Sequence, residues 1–216
     1  MSYIRGCGKM KASEAYEKLL SIIGETLRAE GYSRRGKYFY LRRGRNWGVF
    51  QFQSSVKSSS EEVIFTINLG VFSGGLDEFF STLKSGRPAI GSCHWSERIG
   101  FLLPDPHDKW WVLTDDDSVR SLVTEEVTRT VISAGLPAIE THISDERLCE
   151  VWLTGKAPGL TTTERLVYLS VFLKAKNDVD DLRKVVQELR TVSQGKATES
   201  MAERHIQRLQ SWKTNE

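Results

Sequence analysis

The sequence is poor in the residues that usually announce chemistry. Only three cysteines and four histidines occur in 216 residues. Cys7, Cys93 and Cys149 lie far apart with no CxxC pair. An odd set without a framework excludes a disulfide scaffold and the spacing of a zinc site, and points to reduced thiols in a cytoplasmic protein. Long apolar runs are missing as well. The longest, around Leu166–Leu173, falls far short of the about 20 residues that a bilayer span needs. Met1–Met10 has no apolar core, so neither a signal peptide nor a membrane partner is expected. The glycines match neither the P-loop nor the dinucleotide fingerprint, and GxSxG and HExxH are absent. The sequence therefore calls for no cofactor and no metal.

What is present is ordinary in amount and uneven in place. Hydrophobic residues make up 39% and charged residues 27%, a globular balance that argues against disorder. The net charge of +2 conceals blocks: residues 1–57 carry twelve Lys/Arg against four Asp/Glu, whereas residues 104–155 carry four against eleven. Such asymmetry marks either a polyanion-binding end or two halves that attract each other.

Hydrophobic periodicity predicts an α+β fold: an antiparallel β-meander sheet packed with helices, followed by a C-terminal helical segment. Apolar positions from Ala15 to Leu27 recur at helical spacing, with Ser13 expected as N-cap and Gly31 as stop. Strands are expected over Lys37–Arg42, Trp47–Ser55 and Glu62–Phe72, with a turn at Arg43–Asn46. A short helix over Leu76–Lys84 follows. Arg98–Leu103 and Lys109–Thr114 read as further strands joined by Pro104-Asp105-Pro106. A helix is predicted from Ser118 to about Ala134, opened by Asp115–Asp117 and closed by Gly135 and Pro137. Asp145–Leu153 reads as another helix. The Pro158-Gly159 pair suggests a boundary, so residues 1–155 are expected to form the α+β domain. Residues 156–216 are expected to be a helical extension with helices over Thr162–Lys174, Val179–Val192 and Thr198–Trp212.

Four groups of residues invite a functional reading. The first is the basic-aromatic stretch Arg34, Arg35, Lys37, Arg42, Arg43, Arg45 and Trp47, interleaved with Tyr38, Phe39 and Tyr40. Cations for phosphates and aromatic faces for bases are what nucleic-acid binding requires. The plainer alternative is a hairpin whose aromatics face the core and whose charges protect an edge strand. An isoelectric point of about 8.4 favours that alternative, since a basic binding domain is expected above about 9. The second is Cys93-His94 with His107. Neighbours on an extended strand point to opposite faces, so Cys93 and His94 cannot serve each other as nucleophile and base. The third is the carboxylate run Asp115–Asp117, which suits helix capping as well as Mg²⁺. The fourth is the polar face of the meander, where Gln51, Gln53 and Ser55 share a side with Thr66 and Asn68. It is either a partner or ligand face, or a solvated or covered one. Trp95, Trp110, Trp111 and Trp152 read as core or as interface anchors.

Taken in order, three strand motifs carry a resemblance. They are Gly31-Tyr32 with Gly36-Lys37-Tyr38-Phe39, then Phe50-Gln51-Phe52-Gln53-Ser54-Ser55, then Phe65-Thr66-Ile67-Asn68-Leu69-Gly70-Val71. Cys93-His94-Trp95, Arg98-Ile99-Gly100 and Lys109-Trp110-Trp111 extend it. Over roughly residues 12–155 the chain resembles the bacterial family known as domain of unknown function 4304. The resemblance implies a bacterial, cytoplasmic protein and supplies no reaction. It draws attention to Gln53, Asn68, His94 and Arg98, the polar positions of the motif. By association alone it suggests an immunity-like or phage-defence accessory role. The leading expectation is a non-enzymatic interaction protein that binds a protein partner, with Gln51, Gln53, Asn68, His94 and Arg98 on the binding face. The alternative is a nucleic-acid-binding module using residues 34–47. The third reading is an enzyme using His94 or His107.

Overall fold

The computed structural model describes residues 11–83, 86–157 and 159–213. Cys7 and the rest of Met1–Met10, Lys84 and Pro158 lie outside them. The fold is α+β, and the described residues form one antiparallel sheet of six strands. The strands are β1 (Ser33–Arg35), β2 (Tyr38–Arg43), β3 (Asn46–Ser54), β4 (Glu62–Phe72), β5 (Trp95–Arg98) and β6 (Trp111–Thr114). Their order is β1-β2-β3-β4-β5, with β6 pairing to β4 from Glu62↔Thr114 to Phe65↔Trp111. The chain divides into two compact units, each discontinuous in sequence. The first takes its described residues from Met1–Leu41, Phe50–Asn68 and Arg98–Pro137. The second takes them from Arg42–Val49, Leu69–Glu97 and Ala138–Glu216.

In the first unit, helix α1 (Ala12–Ala29) buries Ala15, Tyr16, Leu19, Leu20, Ile23 and Leu27 along one stripe. That stripe meets the aromatic face of the strands. Tyr16 packs 5.1 Å from Phe65, and Phe65 lies between Phe52 and Trp111 at 6.3 and 5.7 Å. The Tyr16 hydroxyl donates to the Phe52 carbonyl at 3.0 Å, so its polar end is satisfied inside the core. Burial pushes its pKa up to about 12. Ser13 is not the N-cap: Lys11 takes that position without a side-chain bond. At the other end Gly31 has φ +87°, and the Tyr32 N–H returns to the Leu27 carbonyl at 3.0 Å, a glycine-based helix stop.

Two further expectations fail in this unit, each because the chain packs closely around a glycine. Arg98–Leu103 is not a strand. Only Trp95–Arg98 is extended, and Ile99–Leu102 turns as a 3-10 segment. A Cβ on Gly100 would collide with the His107 carbonyl and the Lys109 amide, so the glycine lets the returning chain sit against it. Nor does Gly135 end a helix. Helix α3 (Asp117–Thr130) passes through a π turn at Val131–Gly135 into α4 (Leu136–His142), with Pro137 inside α4. A π turn breaks the regular i→i−4 ladder just where Pro137 lacks its N–H. Gly135 is required by packing: a Cβ there would stand 2.6 Å from Phe50 Cε1 and 3.2 Å from Ile99 Cδ1. Gly135→Ala should therefore cost about 1–3 kcal/mol by overpacking, read by urea denaturation. A neutral substitution would contradict this reading. The acidic run before α3 does cap it: Asp116 Oδ1 accepts from the Ser118 and Val119 N–H groups at 2.8 and 3.0 Å.

The second unit holds α2 (Gly74–Phe80), α5 (Asp145–Leu153), α6 (Thr162–Ala175), α7 (Val179–Ser193) and α8 (Glu199–Ser211). The α6 sequence is apolar on nearly every side, and it packs against α5, α7 and α8. Thr161 and Glu164 form a reciprocal capping box at its start, and Asp178 caps α7. Buried Arg165 of α6 donates to the Trp152 carbonyl and pairs with Glu188, both at 2.8 Å. His205 of α8 meets Ser170 Oγ at 2.8 Å, and Arg208 donates to the Phe79 carbonyl, so α8 is seated on both α6 and α2.

Candidate functional site

Alternation along β3 buries Phe50 and Phe52 and turns Gln51 and Gln53 to the other face. That face, within the first unit, carries a connected set of neutral polar groups. Asn68 Nδ2 of β4 donates to Gln51 Oε1 at 3.0 Å and to Gln53 Oε1 at 2.7 Å. Gln51 Nε2 donates in turn to the Tyr38 hydroxyl of β2 at 2.7 Å. Asn68 is 8% exposed, whereas Tyr38, Gln51 and Gln53 are half-buried. Thr66, one pleat away, is fully buried and donates to the Lys109 carbonyl at 2.8 Å. The Thr66 end of the face is thus covered by the chain itself, and the glutamine end stays accessible. Gln53 Nε2 has no hydrogen-bond partner among the described residues.

Arg98 and Trp110 belong to the same unit. The Arg98 guanidinium lies 5.3 Å from the Trp110 ring centroid and reaches both Asp108 oxygens at 2.6 Å. The Arg98 hydrogen bond first, and one from Trp110 second, hold the Asp108 carboxyl below its usual value. This is a fixed cation with an aromatic partner. Asp108 is thereby committed to an ion pair and is poorly suited to proton transfer.

The residues singled out around Cys93 and His94 are placed for packing. Cys93 Sγ stands where a Cβ on Gly70 would come within 2.7 Å, and burial pushes the thiol up to about 12, away from the thiolate needed for attack. His94 is 2% exposed, and its Nδ1 accepts the Ser73 N–H at 3.0 Å. Desolvation lowers its pKa to about 4, so it is neutral near pH 7 with the proton on Nε2. Phe72 and Tyr168 pack against the ring at 5.0 and 5.3 Å. His94 belongs to the second unit, whereas the amide set and Arg98 belong to the first. His107 is exposed and bonds through Nδ1 to the Asp105 carbonyl at 2.7 Å. Among the described residues, no group of three His, Cys, Asp or Glu side chains is arranged to hold a metal ion.

Sequence reasoning missed a buried polar cluster in the second unit. Asp145 Oδ1 accepts from Ser73 Oγ at 2.6 Å and from Asn46 Nδ2 at 2.9 Å. Asn46 Nδ2 also donates to the Ile143 carbonyl at 2.8 Å, and its Oδ1 accepts the Gly74 N–H at 2.8 Å. Ser73, His94 and Asp145 thus lie together, but not as a nucleophile and its base. The hydroxyl gives its proton to Asp145 and accepts the Leu76 N–H at 3.0 Å, while the imidazole meets the serine backbone. The cluster ties the first turns of α2 and α5 to the start of β3. Ser73 ahead of Gly74-Gly75 was a visible capping signal, whereas Asn46 gave none.

The basic residues of 34–47 are largely engaged. Arg34 pairs with Glu17 at 2.6 Å and donates to the Gly36 carbonyl at 2.9 Å. Lys37 reaches Ser54 Oγ at 2.9 Å. Arg42 lies 5.3 Å over Trp47, and Arg45 pairs with Glu78 at 2.6 Å. Arg35 and Arg43 are exposed, while Phe39 and Tyr40 are buried in the core.

The family model described as a domain of unknown function (DUF4304) matches residues 23–141. The chain belongs to this family. No curated protein and no solved structure matches it. The DUF4304 match begins inside α1, includes every strand and ends within α4. It contains Tyr38, Gln51, Gln53, Asn68, Arg98 and Asp108, whereas α5 to α8 lie beyond it. No helix among the described residues is long and apolar enough to cross a membrane.

Proposed function

We propose that this DUF4304 protein is a non-enzymatic interaction protein that binds a protein partner through the amide face of its first unit. The observation that carries the reading is the double donation from Asn68 to Gln51 and Gln53. It fixes three amides and a phenol in one orientation before any partner arrives, so little side-chain entropy is left to lose on binding. The groups are neutral, so a partner can bury them without stranding a charge. Gln53 Nε2 supplies an unused donor for a partner's backbone carbonyl. Arg98 and Trp110 are of the types that dominate binding energy at interfaces. The acidic stretch 104–155 would steer a basic partner. A bacterial, cytoplasmic immunity-like or phage-defence accessory role is the setting in which such a binder is expected.

The nucleic-acid reading draws less support, because Phe39 and Tyr40, two of the aromatic faces it would stack on bases, are buried in the core. A tagged full-length chain, used to capture partners from lysate of its own cells with and without nuclease, distinguishes the two readings. A protein retained at moderate salt, and weakened about tenfold by Gln53→Ala with the fold intact, is the expected result. Equal capture by the variant, or nucleic acid that leaves as salt rises, would overturn it.

A further inference from the structure

The second unit carries a groove outside the DUF4304 match, unrelated to the amide face. It runs between α7 and α8 with a volume of about 570 Å³. Ile206 and Leu209 of α8 are buried in its lining, and Val179, Leu182 and Val186 of α7 complete the apolar surface. Leu182 and Val186 are half-buried and Val179 is 54% exposed, although α7 already packs Val185 and Leu189 into its own core. Helix α7 therefore has one broad apolar stripe, buried at Val185 and Leu189 and left open along its Val179, Leu182 and Val186 edge.

Charge identifies what would cover that open edge. Four cations, Lys174, Arg183, Lys184 and Arg190, line the groove, and no Asp or Glu is among its lining residues. Asp180, Asp181 and Glu203 pair with three of them from outside the groove, at 3.4, 2.7 and 3.0 Å. Arg183 and Lys184 are largely exposed and Arg190 is 45% exposed, so these pairs are weak and exchangeable. Spacing adds to this. Val179 and Val186 are seven residues apart, and so are Arg183 and Arg190. An apolar row and a basic row thus each repeat about every two turns, the pattern that a facing helix with apolar anchors and acidic flanks would match.

We propose that the α7–α8 groove is a docking site for an acidic amphipathic helix of a partner protein. The partner's apolar residues, at i, i+3 or i+4, and i+7, enter the groove over Ile206 and Leu209. Its flanking carboxylates meet Arg183, Lys184 and Arg190. This is helix-in-groove recognition, in which the anchors give affinity and the charged rim sets partner choice.

The test uses the full chain and two synthetic helical peptides with the same leucine anchors, one flanked by glutamate and one by lysine. Calorimetric titration should show saturable binding of the glutamate peptide that weakens as salt rises. The lysine peptide should bind at least about tenfold more weakly. The double variant Arg183→Glu/Lys184→Glu, whose side chains are 75% and 76% exposed, should keep the fold and lose about tenfold or more in affinity for the glutamate peptide. Val186→Asp should abolish binding, with circular dichroism as the check on folding. Equal binding of both peptides, full affinity in the charge-reversed variant, or no binding of either peptide would overturn the proposal. So would a concentration-dependent dimer of the chain that Val186→Asp dissolves, since the groove would then belong to a second copy.

Discussion

Replacing Asn46 with alanine should lower the stability of the protein by about 3 kcal/mol. The residue is 7% exposed and makes three hydrogen bonds within the second unit: to the Ile143 carbonyl, to Asp145 and from the Gly74 N–H. Alanine would remove all three and leave a backbone donor and a backbone acceptor without partners. Each unsatisfied buried group costs about 1–3 kcal/mol, which sets the size of the effect. Water would not easily repair the loss, since Gly74 lies so close to Arg45 that a Cβ there would stand 2.8 Å from the Arg45 carbonyl oxygen. Asn46→Asp should be no milder, because it turns a donor into a carboxylate oxygen facing the Ile143 carbonyl and Asp145. Urea denaturation followed by tryptophan fluorescence reads the effect, with buried Trp152 reporting on the same unit. A loss below about 1 kcal/mol would show that the cluster is not what fastens α2 and α5 to the strand.

Acidification should unfold the second unit more readily than its carboxylates alone would require. His94 and His205 are both buried, and burial lowers each to about 4. Arg208 lowers His205 further, whereas the carboxylate of Asp77 partly opposes the shift at His94. The unfolded imidazole titrates near 6.5. Between these values the unfolded chain binds more protons than the folded one, so stability is fully present above about 6.5 and declines as pH falls toward 4. By pH 4.5 each histidine should have withdrawn about 2–3 kcal/mol. His94→Asn, which presents an acceptor oxygen to the Ser73 N–H but cannot titrate, should flatten the dependence by about one proton over that interval. Denaturation midpoints measured from pH 7.5 to 4.5 decide the matter. Parallel curves for variant and parent would mean that His94 is not held neutral by burial.

The regular elements of this fold were legible where one period ran long enough to decide. Helices α5 and α7 and strand β4 follow their apolar spacing, and α6 follows from its apolar run and its Thr161 cap. Strand β1 was not legible, because Ser33-Arg34-Arg35 is short and polar and is extended only by pairing with Tyr38–Tyr40. Gly135 and Pro137 read as a stop, yet the glycine answers to Phe50, a neighbour 85 positions away in sequence. The same limit applies to the sites. Gln51, Gln53 and Asn68 could be placed on one face by alternation alone, and they do meet. The link from Asn46 to Ser73 and Asp145 depends on long-range pairing and left no periodic trace. His94 and Arg98 came from one motif, but they fall in different units.

The most direct test of the sheet-face account places a photo-reactive residue at half-buried Ser55 of the full chain, two residues along from Gln53, with a second version at Arg43, and irradiates the cells that make it. The account predicts a covalent adduct to one protein from position 55, lost when Asn68→Ala releases the two glutamines, and no nucleic-acid adduct from position 43. Nucleic acid cross-linked at position 43, with no protein adduct from position 55, would contradict it.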